Sequence, residues 1–378
     1  MQKKILSVAI GLALAQFVST PVFAADTTED FIEVNESLSL DNTSQAQTKT
    51  FNFDKNAIYK HTGRIELKGQ GGKKDLTINI KNGSGDFIVR DRYAPIRLYN
   101  SDIHLTFNSN LVMEGMEYAG IMYGAGNVPR ELNITGDFIY RNSYATAIEA
   151  STGNSRGNLF VITIDGKADL RNVSIHGNGK TTASGSLLDL GATDFEAKQG
   201  VFIDNIDGNT AGDWNTAIFL VNGSLKAENQ NIEITNINFN VASRANTSIY
   251  VQSSPVKAKN ILIKGLTNNY NNDLYGYMNN TEANTVSDSL TICDILNLKT
   301  GNTVALYMGA DSRTRYGDTN FNVGTVTIDN VVASDGIAEG MSVGGAARDN
   351  GKLNAQAGSV LINGVHGTRG AVGAEISD

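Results

Sequence analysis

Cysteine and proline are nearly missing from this 378-residue chain, which holds 1 Cys and 4 Pro. A lone thiol rules out an intrachain disulfide, so stability must come from packing and backbone hydrogen bonds. Cys293 is expected to be a small buried filler in a strand rather than a reactive thiol. Scarce proline suits a fold whose strands give their amide hydrogens to one another, because proline would break that ladder. Aromatic residues make up 7%, so a core must be filled mainly by aliphatic side chains. Positive charge is in the minority: 31 Lys and Arg against 39 Asp and Glu give a net charge of -8. No basic stripe is present, which argues against nucleic acid as partner and against adsorption onto anionic membranes. Beyond the N-terminus no apolar run is long enough to cross a bilayer as a helix.

What the chain has instead is a repeat. An apolar residue, two small or polar residues rich in Asn, Asp and Gly, and a second apolar residue return about every 30 positions. Clear copies are Ile203-Asp204-Asn205-Ile206, Ile234-Thr235-Asn236-Ile237, Ile263-Lys264-Gly265-Leu266, Ile292-Cys293-Asp294-Ile295, Ile328-Asp329-Asn330-Val331 and Ile362-Asn363-Gly364-Val365. Weaker relatives are placed around Ile164, Ile134, Phe107 and Ile78. Residues before the motif alternate, as a strand with one buried face does. A second strand keeps step, as in Ala217-Ile218-Phe219-Leu220, Ser248-Ile249-Tyr250-Val251 and Val304-Ala305-Leu306-Tyr307. A third stretch, as in Ser224-Leu225-Lys226-Ala227, falls between them. Three short strands per repeat predict an all-β, right-handed, three-faced parallel β-helix of roughly ten coils, on the order of 50 Å long. Ankyrin or tetratricopeptide arrays share the period but need helix formers, whereas Ile, Val, Thr, Asn and Gly dominate here.

The N-terminus carries an export signal. Lys3 and Lys4 precede an apolar run from Ile5 to Val18, and Val22-Phe23-Ala24 then leads into acidic sequence. This order describes a secretory signal peptide over residues 1–24, cleaved between Ala24 and Ala25. Residues 25–60 are expected to cap the open end of the solenoid, and residues 61–378 to form its coils. Gly370–Ile376 reads as a strand of one further coil with no cap after it, so the natural chain is expected to continue.

A cleaved signal peptide followed directly by Asn- and Gly-rich coils with almost no Cys resembles the passenger domain of Gram-negative autotransporters, the pertactin-like group. The resemblance spans nearly the whole chain. It implies export through the periplasm to the cell surface or the medium, and commonly an adhesin or virulence-associated role. It also implies a C-terminal outer-membrane barrel if the natural chain is longer, and nothing in these residues resembles one.

Chemistry is hard to find in the residues. Asp165, Asp204, Asp294 and Asp329 recur in or beside the motif, and neighbouring coils could pair two of them for glycoside hydrolysis. Asn363 and Thr235 fill the same slot elsewhere, so bend positions explain these acids better. His61, His104, His176 and His366 are too scattered for a metal site. Arg90-Asp91-Arg92 lacks a concentrated acidic partner of the kind a lyase would use. Gly69-Gln70-Gly71-Gly72 lacks the Lys-Ser or Lys-Thr of a phosphate loop. No Gly-Asp-Ser-Gly nucleophile motif, Arg-Gly-Asp tripeptide or calcium-binding nonapeptide repeat is present.

Candidate contacts are therefore aromatic residues in insertions. Tyr270, Tyr275 and Tyr277 in the stretch Asn268–Asn280, and Trp214 in the stretch 208–215, are the candidate ligand-binding side chains. The expectation is a non-catalytic adhesin or display scaffold that binds protein or glycan on host or neighbouring cells, with no metal, cofactor or catalytic residues. A polysaccharide-active lyase or glycoside hydrolase is the alternative.

Overall fold

The computed structural model describes residues 31–40, 43–68, 72–99, 102–124, 130–150, 160–175, 185–209, 214–240, 245–309, 318–344 and 352–376. They belong to one compact unit, Phe31–Asp378. The signal peptide and its cleavage site at Ala24 and Ala25 lie outside them. The fold is an all-β parallel solenoid, with a single 3-10 turn at Lys81–Gly83 among the described residues.

One coil shows the plan. Gln47–Phe53, Asn56–Tyr59 and Ile65–Lys68 follow one another along the chain. Each pairs in parallel with its counterpart one repeat on: Lys74–Ile80, Asp86–Arg90 and Ile96–Tyr99. The pairings run in three ladders. Two of them share a 19-stranded sheet, and the third is an 11-stranded sheet among the described residues. Between Ser224 and Asp335 the first two strands of each coil fuse into one long bent strand, as in Ser224–Phe239 and Thr319–Asp335, and they part again into Leu353–Ile362 and Val365–Gly367.

Period-two alternation turns one side of each strand inward, so identical slots pile into columns. Ile203 pairs with Ile234, Ile234 with Ile263, Ile263 with Ile292, and Ile292 with Ile328. All five are at most 1% exposed. Burying each such side chain is worth about 2 kcal/mol before chain entropy is counted. Upstream, the column continues through Leu170 and Tyr140 rather than Ile164 and Ile134. Ile164, Ile134, Phe107 and Ile78 instead form the neighbouring ladder, which Ala197 extends. The phase expected from sequence was thus one strand off in the first half of the chain.

The polar third residue of the motif makes the bend. Asn172, Asn205, Asn236, Asp294 and Asn330 have φ between 54° and 57°, and Gly265 and Gly364 have φ of 72° and 58°. This left-handed region costs most L-residues about 1–2 kcal/mol, and Asn and Gly enter it most readily. Side-chain amides then tie coil to coil: Asn205 Nδ2 donates to Asn172 Oδ1 at 2.8 Å, and Asn330 Nδ2 to Asp294 Oδ1 at 2.8 Å. Asn330→Val should therefore lower stability by about 1–2 kcal/mol and Asn330→Gly by distinctly less. Denaturant midpoints test this, and equal losses for the two variants would contradict the strain account.

The first and last described coils differ. At the first, Phe31–Val34 heads the second ladder on Asn56–Tyr59, and Leu40 bridges Leu67 of the eleven-stranded sheet. Val34, Leu38 and Leu40 are buried there and cover the interior. At the other, the strand Leu353–Ile362 is exposed over most of its length, and Val360 stands 47% exposed although it stacks on the buried Val326.

Candidate binding face on the eleven-stranded sheet

In the strand Trp214–Val221, Ile218 and Leu220 are fully buried in the main core. Alternation turns Phe219 and Val221 to the outer side. Register then fixes what lies above and below. Phe219 pairs with Tyr250, Tyr250 with Met278, and Met278 with Tyr307. In the other direction Phe219 pairs with Asp189. Asp189 and Glu149 each follow directly the paired residues Leu188 and Ile148, so they are neighbours on adjacent rungs. Glu149 pairs with Met122, and Met122 with Arg97. A single outer column thus runs from charge to aromatic rings along the solenoid axis, one residue about every 4.8 Å.

The aromatic half is a built cluster. Val221, Tyr250 and Met278 are buried together, with the half-buried Phe219, Tyr275 and Tyr307 packed against them. Phe219 and Tyr250 stack with centroids 5.2 Å apart and planes 10° from parallel. Tyr275 meets Tyr307 edge-on at 6.1 Å. Polar groups are fixed between the rings: Tyr250 O–H donates to Gln252 Oε1 at 2.7 Å, and Asn280 Nδ2 donates to the same hydroxyl at 3.1 Å. Burial, with Asp273, Tyr307 and Glu339 acting the same way, pushes the Tyr275 phenol up to about 12. It is therefore an uncharged donor at any physiological pH. Flat rings beside fixed amides and hydroxyls are suited to a ligand with an apolar face and a polar rim.

The acidic half is unusual for an outer face. Asp189 is 6% exposed, and its Oδ1 accepts one long bond from Gly191 N–H at 3.3 Å. Burial pushes its carboxyl up to about 7, with that amide opposing and the nearby Glu149 adding to the rise. Glu149 is also raised by burial, and Arg97 opposes the rise. Behind them, the interior Tyr123 hydroxyl lies 3.3 Å from Asp189 O and 3.2 Å from Gly191 O, and within reach of Thr193 Oγ1.

Residues singled out from sequence fall in different places. Tyr275 belongs to the cluster. Tyr277 does not: it is fully buried between Ile249 and Leu306, with its hydroxyl 2.7 Å from Thr285 Oγ1, so it cannot reach a ligand. The stretch Asn268–Asn280 is not one loop, because Asp273–Asn279 is a strand of the eleven-stranded sheet, and its alternation turns Tyr277 inward. Tyr270 sits in the turn before it, 42% exposed, its amide donating to Asn268 Oδ1 at 3.2 Å. Trp214 opens its strand opposite Ala245; the placement of its side chain lies outside the description.

The motif acids are bend residues. Asp204 Oδ1 accepts from Thr235 Oγ1 at 2.6 Å and from Asn236 Nδ2 at 2.8 Å, while Asp165 is paired with Lys198 at 2.6 Å. Asp294 is itself a left-handed bend residue, and Asp329 stands exposed beside one. His104 lies between Asp102 at 2.8 Å and Glu131 at 3.1 Å, but the two acids take opposite ring nitrogens and do not converge. No metal-holding group of His, Cys, Asp and Glu occurs among the described residues. Cys293 is half-buried, and burial together with Asp294 pushes its thiol up, away from reactivity.

Phe219, Tyr250, Met278 and Tyr307 were legible only by laying the second-strand repeats over one another, which puts all four in one slot. Comparison of the chain with protein-family models, with curated proteins and with solved structures gives no match.

Proposed function

We propose that the chain is the β-helical passenger of an exported, surface-displayed adhesin of the autotransporter kind, which holds an extended glycan of a host or neighbouring cell along the outer face of its eleven-stranded sheet. The signal-peptide pattern, the near absence of Cys and the parallel solenoid support export and display. A right-handed, three-faced winding belongs to the same reading. The observation that carries the ligand class is the outer column Phe219–Tyr250–Met278–Tyr307, flanked by Tyr275. Its three rings and the Met278 thioether succeed one another along a straight axis, as the sugar units of an extended chain do. Tyr hydroxyls and the Gln252 and Asn280 amides supply the polar contacts that sugar rims require. An acidic chain with its bound face largely free of Lys and Arg fits a neutral glycan better than a polyanionic one.

Affinity electrophoresis with β-1,4-linked hexasaccharides of glucose, N-acetylglucosamine and xylose tests the reading. Phe219→Ala, Tyr275→Ala and Tyr307→Ala should each weaken binding about tenfold, roughly 1.4 kcal/mol per ring. Val360→Ser, at the far end, should leave it unchanged. Binding that survives all three ring truncations, or that none of the hexasaccharides shows, would remove the glycan from the proposal.

A further inference from the structure

Two acids and a base on the outer column lack the partners that such groups take elsewhere in the molecule. Asp169 is as buried as Asp189, yet it is held by Arg171 and by Lys167 at 3.0 Å; burial works the other way, but these cations keep its carboxyl below the ordinary range. Asp189 has only the long Gly191 contact, and Glu149 has no hydrogen bond or ion pair among the described residues. The buried Arg97 Nε likewise has no hydrogen-bond partner among the described residues. Buried polar groups left open on a surface-facing column call for a ligand or a reaction. Asp189 stands one rung from Phe219, at the head of the aromatic rings.

The geometry points to Glu149 and Asp189 as a hydrolytic pair that cleaves the glycan held along the aromatic column, an inference that rests on the glycan reading above. Adjacent rungs set the two backbones on the order of 5 Å apart, with both side chains on the outer side. Side chains that leave neighbouring rungs in the same direction bring their carboxyls within range of the roughly 5–5.5 Å of glycosidases that retain anomeric configuration, the class to which the pair is assigned. The environments divide the roles. Asp189, the more buried, faces Glu149 and no cation, and holds its proton up to about 7. Glu149 faces Arg97, which favours its carboxylate, and lies near the phenols of Tyr99 and Tyr118. In the first step a Glu149 oxygen bonds to the anomeric carbon as the glycosidic C–O bond breaks, and Asp189 gives its proton to the leaving oxygen. In the second, water attacks the same carbon, its proton passes to the Asp189 carboxylate, and the bond to Glu149 breaks. Both side chains return to their starting states, and one water is consumed for each linkage cut.

The test uses the full chain with the same three hexasaccharides. Wild type should release reducing ends from at least one that it binds, with the product first appearing in the β configuration by proton NMR. Glu149→Gln and Asp189→Asn should each lower the rate at least 100-fold while the hexasaccharide still binds and the melting temperature does not fall. The rate should decline as pH rises through about 7, where Asp189 loses its proton. It should also decline in acid, below the raised Glu149 value. Binding without any release of reducing ends, or unaltered rates in the two amide variants, would overturn the pair and leave the binding face standing. Failure of all three sugars to bind would overturn both.

Discussion

Replacing Tyr277 with alanine should cost about 4 kcal/mol, the range found for emptying a fully buried aromatic site. Its ring fills the interior between Ile249 below and Leu306 above. Its hydroxyl meets Thr285 Oγ1 at 2.7 Å, and Thr285 in turn reaches Asn279 Oδ1 at 2.7 Å. Truncation therefore opens a cavity and removes one member of a buried polar chain. Tyr277→Phe keeps the volume and should cost only about 1 kcal/mol. Chemical denaturation of both variants separates packing from the hydroxyl. Sugar binding by Tyr277→Phe should equal wild type, since the residue faces inward. A Tyr277→Ala variant that unfolds at the wild-type midpoint would show that the side chain is not in the core.

The opposite sign is expected at Arg130. This residue occupies an inward slot between Ile103 and Phe160 and is 1% exposed. Its Nε and Nη1 have no hydrogen-bond partner among the described residues, and burial lowers its hold on the proton. A desolvated guanidinium without a carboxylate destabilises the folded state, so Arg130→Met, similar in volume and apolar, should raise stability by about 2 kcal/mol. Lys74 gives the internal control. It stands two rungs away in the same column and is equally buried. Its ammonium, however, donates to Gln45 O at 2.6 Å and to Thr43 Oγ1 at 3.3 Å. Lys74→Met breaks satisfied bonds and should not stabilise. A gain at Lys74 equal to that at Arg130 would refute the assignment of the penalty to missing partners.

Much of the architecture could be read from residues because a stacked coil repeats its own constraints. Asn236, Gly265 and Asp294 differ chemically, yet all sit where the backbone must turn left-handed, so their shared slot revealed the bend. The aliphatic slots of Ile203, Ile234 and Ile263 were legible for the same reason. Phase was lost upstream, where Leu170, Tyr140 and Met113 continue the column with side chains of different shape. A column needs only apolar volume at each level, and pattern matching on Ile alone passed to the adjacent ladder at Ile164.

The candidate face was harder. Tyr275 and Tyr277 are two residues apart on one strand, yet one is half-exposed and the other is sealed in. Pairing passes from Tyr275 to Tyr277 and skips Gly276, as it skips Ser248 and Ala305 on the neighbouring strands, so the inward–outward alternation shifts by one residue at this level of each coil while the register is kept. Local sequence does not announce that shift. Glu149 and Asp189 were invisible for a different reason. They lie 40 positions apart in sequence, and only the pairing of Ile148 with Leu188 makes them neighbours.

Stacking ties the fate of each coil to its neighbours. A coil between Lys74 and Val343 is clamped from two sides, so it cannot loosen without stripping ladder hydrogen bonds from the turn above and the turn below at once. Val34, Leu38 and Leu40 close the first turn by other means, lying over its interior where no earlier coil is stacked.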